Sequence, residues 1–501
     1  QGDGLNSSAG IGVVGAAGRD IIVRDCEMFH TSWGFFVVGD DVTLDRIYCH
    51  HCYAHNTSPH PAAVRLRNAV MQNCVLDASG GHAFAGTMGI MLVDTNDFTI
   101  RNCTFRNMPD SGSHDEGGID FESRGDRCMI DACTFQNNAG AAIEVLGLSS
   151  PQPTNVEIRN SRFIQNNWAH KLGPGEIYIW GKSQPQDPKV CCSNGVIRDN
   201  GYVLLPGVEF FVNEAPTLTD WALENNRSYA TVEELDRAMP LNHPPVVEAG
   251  ADISSDECTV SLAGVVRDDA RPAGGRVAAR WEVLEGAADV AFDEATSPAT
   301  QATFGAPGDY LLRLVGDDGE LWTSDMVVVH VLPPGGALAR SWEFNQQLDK
   351  EGWAEVDLGT REREEKHPTW PCKSQPVMYV SGGYYVFAVE DSASAHLLSA
   401  DQLDVDVTAH QTIRIRFQNH TSATSMRFAF TTAAEPAWDA ARSQRFDVVP
   451  HDSGPREYAI DMSSVPGWRG SLKQLRLDLT PDAAPVTGTC RIDYIQIVHS
   501  R

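Results

Sequence analysis

The chain has 501 residues, 67 acidic and 39 basic, for a formal net charge of −28 at neutral pH. That balance excludes the basic footprint a nucleic-acid partner needs and disfavours anionic membrane surfaces. Hydrophobic content of 42% with 21% charged residues fits globular domains with sizeable cores, about three at this length, and no apolar run approaches the ~18 residues of a membrane span.

Gln1 opens directly into glycine-rich, strand-like sequence with no secretory leader, so a mature or truncated chain is expected. Residues 21–229 then carry one pattern written eight times: a short strand, a polar bend and a second short strand. One bend position reads Cys26, Ile47, Cys74, Cys103, Cys133, Ser161, Asn200, Asn226. Repeats of this length stack as a solenoid, which places equivalent residues about 4.8 Å apart. The column therefore becomes an interior ladder of free cysteines ending in an asparagine stack. Cys49-His50-His51-Cys52 is the only CxxC, and without a second pair at zinc-ribbon distance it does not predict a zinc site.

A further strand in each copy alternates with period two. Its inward set is Ile11/Val13, Phe35/Val37, Val64/Leu66, Ile90/Leu92, Ile119/Phe121, Ile143/Val145, Ile177/Ile179 and Val208/Phe210, all apolar. Its outward positions form two columns, Gly12, Phe36, Arg65, Met91, Asp120, Glu144, Tyr178, Glu209 and Val14, Val38, Arg67, Val93, Glu122, Leu146, Trp180, Phe211. The architecture is a parallel β-helix. It resembles the right-handed pectate-lyase-like and polygalacturonase-like solenoids over residues 1 to about 230, although the polygalacturonase signature of paired aspartates with HG and RIK segments is absent. The resemblance implies a carbohydrate-active protein with a polysaccharide in the outer groove.

The outward columns concentrate charge unevenly. Asp120 and Glu144 fall on adjacent rungs, with backbones about 5 Å apart, and Glu122 follows on the same strand. Like charges this close raise at least one pKa, and paired carboxylates carry out most glycoside hydrolysis. Asp120, Glu144 and Glu122 are thus the candidate acid/base set, with His114 as a proton shuttle. Tyr178 and Trp180 are candidate stacking surfaces for sugar rings, and Arg65 and Arg67 candidate partners for uronate or sulfate groups. Asp115 and Glu116, with Asp120 and Glu122, form a candidate Ca²⁺ site. An alternative is elimination by a polysaccharide lyase, with a base among His50, His51, His55, His60 and His82 beside Arg65.

Residues 231–234 read as a capping box opening a short helix to Met239, placed to cover the end of the solenoid. No equivalent cap precedes Gly10, so the first coil is a candidate surface for self-association. Residues 240–245 form a linker that closes a first domain at residues 1–240. Residues 241–335 resemble bacterial extracellular Ig-like modules of the PKD type. The resemblance rests on Asn242-His-Pro-Pro-Val-Val-Glu-Ala-Gly-Ala251, Arg267-Asp-Asp269, Trp281-Glu-Val283 and the run from Gly308 to Gly319, and it implies a β-sandwich spacer. Residues 338–501 resemble the jelly-roll modules of secreted carbohydrate-active proteins, on Ser341-Trp-Glu-Phe344, Gly352-Trp353, Pro466-Gly-Trp468 and Arg491-Ile-Asp-Tyr-Ile495. Glu343 and Asp493, on its first and last strands, are a candidate pair for structural Ca²⁺, with a salt-bridged edge as the alternative.

The expectation is therefore an all-β, secreted, extracellular bacterial enzyme that cleaves a polysaccharide. It uses Ca²⁺ at most, no organic cofactor, no nucleic acid and no membrane span. A non-catalytic adhesin, sheath or surface-layer component is the competing reading.

Overall fold

The computed structural model describes residues 9–29, 33–52, 62–78, 88–110, 115–122, 125–146, 155–180, 194–214, 220–272, 274–334, 336–344, 349–358, 378–381, 384–482 and 484–499. His114, His55, His60 and His82 lie outside them.

The first domain is a right-handed parallel β-helix. Its coils stack through parallel pairings on three faces, exemplified by Ile100↔Ile130↔Ile158↔Ile197, Phe105↔Phe135↔Phe163↔Tyr202 and Ile90↔Ile119↔Ile143↔Ile177. After the first three strands each strand is short, so stability there comes from the column each residue joins in the interior. Phe105, Phe135 and Phe163 stack at 5.2 and 5.1 Å between ring centroids.

The bend ladder forms as the sequence implies. Cys103 lies between Cys74 and Cys133. The polar end then takes over: the Cys133 amide donates to Ser161 Oγ at 3.1 Å, the Ser161 amide to Asn200 Oδ1 at 2.8 Å, and the Asn200 amide to Asn226 Oδ1 at 3.1 Å. The residue before each of the eight ladder positions turns the corner with positive φ between 49° and 57°; six are Asn or Asp (Asp25, Asn73, Asn102, Asn160, Asp199, Asn225), and the others are Arg46 and Ala132. Asn and Asp tolerate that left-handed conformation better than other side-chain-bearing residues, which explains the polar bends.

The register of the third coil differs from the sequence reading. Arg65 pairs with Val38, and Ala63, not Arg65, lies beside Met91. At the far end Tyr178 pairs with Val212, not Glu209. The first of these is a two-residue shift, and with period two it leaves every inward residue inward; Val64 and Leu66 stay fully buried. The second is a three-residue shift, and it sets Phe211, read as outward, beside the inward Ile177.

Helix Val232–Ala238 closes the end of the solenoid. Thr231 accepts from the Glu234 amide, Glu234 accepts from the Ala230 amide, and Leu235 is buried against Ile164 and Val203.

Two β-sandwiches follow. The first places Ile253–Ser255, Trp322–Val331, Gly308–Asp317 and Ala278–Gly286 in one sheet and Thr259–Ala263, Ala299–Phe304 and Val290–Phe292 in another, around Trp281, Leu312, Leu314 and Val329. The second packs two six-stranded sheets around Trp342, Phe344, Tyr385 and Phe428. The first sandwich is docked on the β-helix: Arg46 pairs with Asp317 at 2.7 Å, Trp322 donates to the Arg46 carbonyl at 3.0 Å, and Leu321 is buried with Tyr48 and Val75.

Candidate acidic site on the β-helix

Strands Ile90–Leu92, Ile119–Phe121, Ile143–Val145 and Gly175–Ile179 lie side by side, with Met91, Asp120, Glu144 and Tyr178 in one outward row. The fully buried Ile119, Phe121, Ile143 and Val145 fix that row by anchoring the opposite face. Asp115 and Glu116 come from the preceding bend, which lies tight against the next coil. A Cβ on Gly140 would sit 1.6 Å from the Asp115 carbonyl oxygen, so only glycine fits there.

Asp120, Glu144 and Glu116 have no solvent exposure, and Asp115 is nearly as buried. Neither oxygen of Glu144 receives an N–H or O–H donor from the described residues. The same holds for Asp120, except for a hydrogen bond with the Glu122 carboxyl that exists only while one of the two keeps its proton. Burial first, and the crowd of carboxyls second, push Asp120 and Glu144 well above the usual carboxylate range. Asp115 is pushed up to about 7 by burial, then by Glu122 and Glu116. Glu122 is raised by burial. Among the described residues Lys171 is the cation that reaches the acids, and it is divided between Asp110 at 2.8 Å and Glu116 at 3.1 Å. Asn167 holds the bend that presents it, donating to the carbonyls of Gly173 and Gly175 and accepting from the Lys171 amide.

Tyr178 and Trp180 do stand beside the acids, but they are not open stacking faces. They are 2% and 7% exposed and pack with Ala141, Leu146 and Val212 as an apolar wall. Arg65 and Arg67 are exposed, and the register shift carries them past the row. They stand two coils from Asp120, about 10 Å along the axis, and further displaced along the strand. His50 and His51 are not placed as lyase bases. His50 lies at the joint with the first sandwich, its Nε2 3.1 Å from Glu27 and its Nδ1 2.8 Å from His51, and burial pushes both rings down to about 4.

Among the described residues no group of three or more His, Cys, Asp or Glu side chains is placed to hold a metal ion. Glu343 and Asp493 lie near enough for the Glu343 charge, after burial, to raise Asp493, and each has a basic partner. Glu343 reaches His330 of the first sandwich at 3.0 Å, and Asp493 pairs with Arg416 at 2.7 Å.

A second polar ladder escaped the sequence reading. The Met108 amide donates to Asn138 Oδ1, Asn138 Nδ2 to Asn166 Oδ1 at 2.7 Å, and Asn166 Nδ2 to Glu176 Oε2 at 2.8 Å. Burial pushes Glu176 up to about 8 against those donors. The paired asparagines Asn137-Asn138 and Asn166-Asn167 were the available signal, but the strand register offsets the two runs by one residue, so Asn138 meets Asn166. Lys171 had none, because its acidic partners come from other coils.

Residues 5–186 and 89–233 match the family model described as "Right handed beta helix region". Among solved structures, the PKD domain of human KIAA0319 is 15% identical, with 18% of this chain and 84% of that one covered and a TM-score of 0.16. A structure on carbohydrate-binding modules of the β-sandwich superfamily is 13% identical, with 51% and 98% covered and a TM-score of 0.20. A xylan-binding module from Roseburia intestinalis is 14% identical, with 23% and 76% covered and a TM-score of 0.17. Scores this low add nothing to the reading of the site, which rests on its geometry.

Proposed function

We propose that the protein is an extracellular glycoside hydrolase acting through Asp120 and Glu144. The observation that carries this reading is the pair of donor-less, fully buried carboxyls on adjacent strands. A carboxyl that holds its proton near neutral pH is a general acid, and its ionised neighbour is a base or nucleophile. Glu122 and Asp115 add negative charge around both carboxyls and favour the protonated form of each. The pair is shut off from solvent, so cleavage requires the side chains over it to part. Hydrolysis is favoured over elimination because the acids are together while His50, His51, Arg65 and Arg67 lie elsewhere.

The test is a polysaccharide panel, run with calcium and with chelator, scored for new reducing ends and for unsaturated-uronate absorbance. New reducing ends without that absorbance, abolished in D120N and E144Q, are expected. Undiminished cleavage by either variant would remove the assignment. Silence on every glycan would leave the non-catalytic extracellular reading, in which self-association through the first coil is the property to measure.

A further inference from the structure

Resting on that reading, we infer that the glycan carries no carboxylate or sulfate groups: among the described residues the site offers an incoming sugar hydrogen-bond acceptors and no uncommitted arginine or lysine. Glu144 presents two oxygens without a donor, and Asp120 two more whose shared hydrogen bond depends on a proton. Such a site is satisfied by groups that donate. Each hydroxyl of an uncharged sugar is a donor, whereas a uronate or sulfate brings acceptors and a negative charge. Recognition of an acidic sugar ordinarily relies on arginine or lysine in bidentate or point-charge contact. Among the described residues Lys171 is already spanned by Asp110 and Glu116. Arg65 and Arg67 stand on the strand Ala62–Gln72, out of the row that holds the acids. The buried wall of Tyr178, Trp180 and Leu146 beside the acids offers no charge. The chain's net −28 also opposes the approach of a polyanion.

The test pairs an acidic polysaccharide with its carboxyl-reduced form, which keeps the linkages and loses the charge, alongside uncharged polymers. Initial rates are measured with the full chain at low and high salt. A preference of at least roughly 100-fold for the reduced form is expected, because an acidic sugar leaves the buried acceptors unpaired. That preference should survive high salt, which screens the long-range field but not buried contacts. Equal or faster cleavage of the acidic form overturns the inference and leaves the hydrolase reading standing.

If nothing is cleaved, the hydrolase reading falls, and affinity electrophoresis decides the inference. Retardation by the uncharged polymers, weakened in E144Q, supports it. Retardation by the acidic polymer alone, or by neither, overturns it. The double variant D120N/E144Q gives a readout that a merely structural role would not move. Its binding preference for the reduced over the acidic form should narrow at least about tenfold as the charge of the pair is removed.

Discussion

Glu144 is expensive to keep. A buried carboxyl without a donor destabilises the fold whenever it ionises, and replacing it with an amide removes the charge while nearly preserving shape. E144Q should therefore raise stability at pH 8 by about 1–3 kcal/mol while abolishing glycan cleavage, the combination expected where function opposes stability. The sign of the pH dependence follows from the neighbours. Asp115 rises from 3.8 to about 7 and Glu176 from 4.5 to about 8. Groups raised on folding contribute stability that is complete below their unfolded values and lost as pH climbs through the folded ones. Thermal melts of the wild type should thus weaken from about pH 4 to pH 8. The same melts on E144Q should show a shallower loss. A slope unchanged by the substitution would mean that Glu144 is neutral throughout the window and exerts no charge on its neighbours.

The polar ladders give each coil its place, and they show how far the sequence could be read. The Cys26-to-Asn226 column was legible because one small or polar residue recurs at one bend, and a buried column has to repeat in kind. The inward face of the long strands was legible for the same reason. The pairing partner of Arg65 was not, since shifting a period-two strand by two residues changes no inward side chain. Nor was the burial of Tyr178 and Trp180, which depends on Leu146 and Val212 from neighbouring coils. Of the candidate site, the Asp120–Glu144 adjacency was readable from spacing, and the engagement of Lys171 was not. The second ladder is testable at Asn166, whose side chain accepts from Asn138 and donates to Glu176. N166A leaves a buried amide unpaired and strips Glu176 of a donor. A loss of about 2–4 kcal/mol in urea unfolding is expected, and the decline in stability toward pH 8 should steepen because Glu176 is raised further. At the closing helix, L235A should cost about 2–5 kcal/mol locally, read as faster hydrogen exchange in the last coil with the central coils unchanged.

Across the whole molecule, the module that reads as a spacer is clamped at both ends. Toward the β-helix it uses Arg46, Trp322 and Leu321. Toward the second sandwich it uses His330, 2% exposed, held between Asp309 at 2.8 Å and Glu343 at 3.0 Å, with Gln496 Nε2 at 3.1 Å from the same ring. Arg414 closes the cluster from the far side, 3.4 Å from Asp309 and 2.7 Å from Glu457. The outward face of the sheet that carries Arg414 and Gln496 is thereby engaged with its neighbour. Burial alone would lower His330, but the two carboxylates outweigh it and hold the ring at about 10. The imidazolium's contribution is complete below about pH 6.5 and lost as pH rises through about 10. Asp309 has the opposite sign. Burial opposes its ionisation, His330 and Arg414 favour it, and the resulting depressed pKa makes its share disappear on acidification. The joint should therefore hold over the middle of the pH range and open at either extreme. Small-angle scattering between pH 7 and pH 11 should show the maximum dimension increasing as the upper limit is crossed. H330Q, which keeps a polar contact but has no charge to lose, should be extended or mobile already at pH 7 and insensitive to the rise. A wild-type profile that stays constant to pH 11 would place the clamp in apolar packing instead of the charged triad.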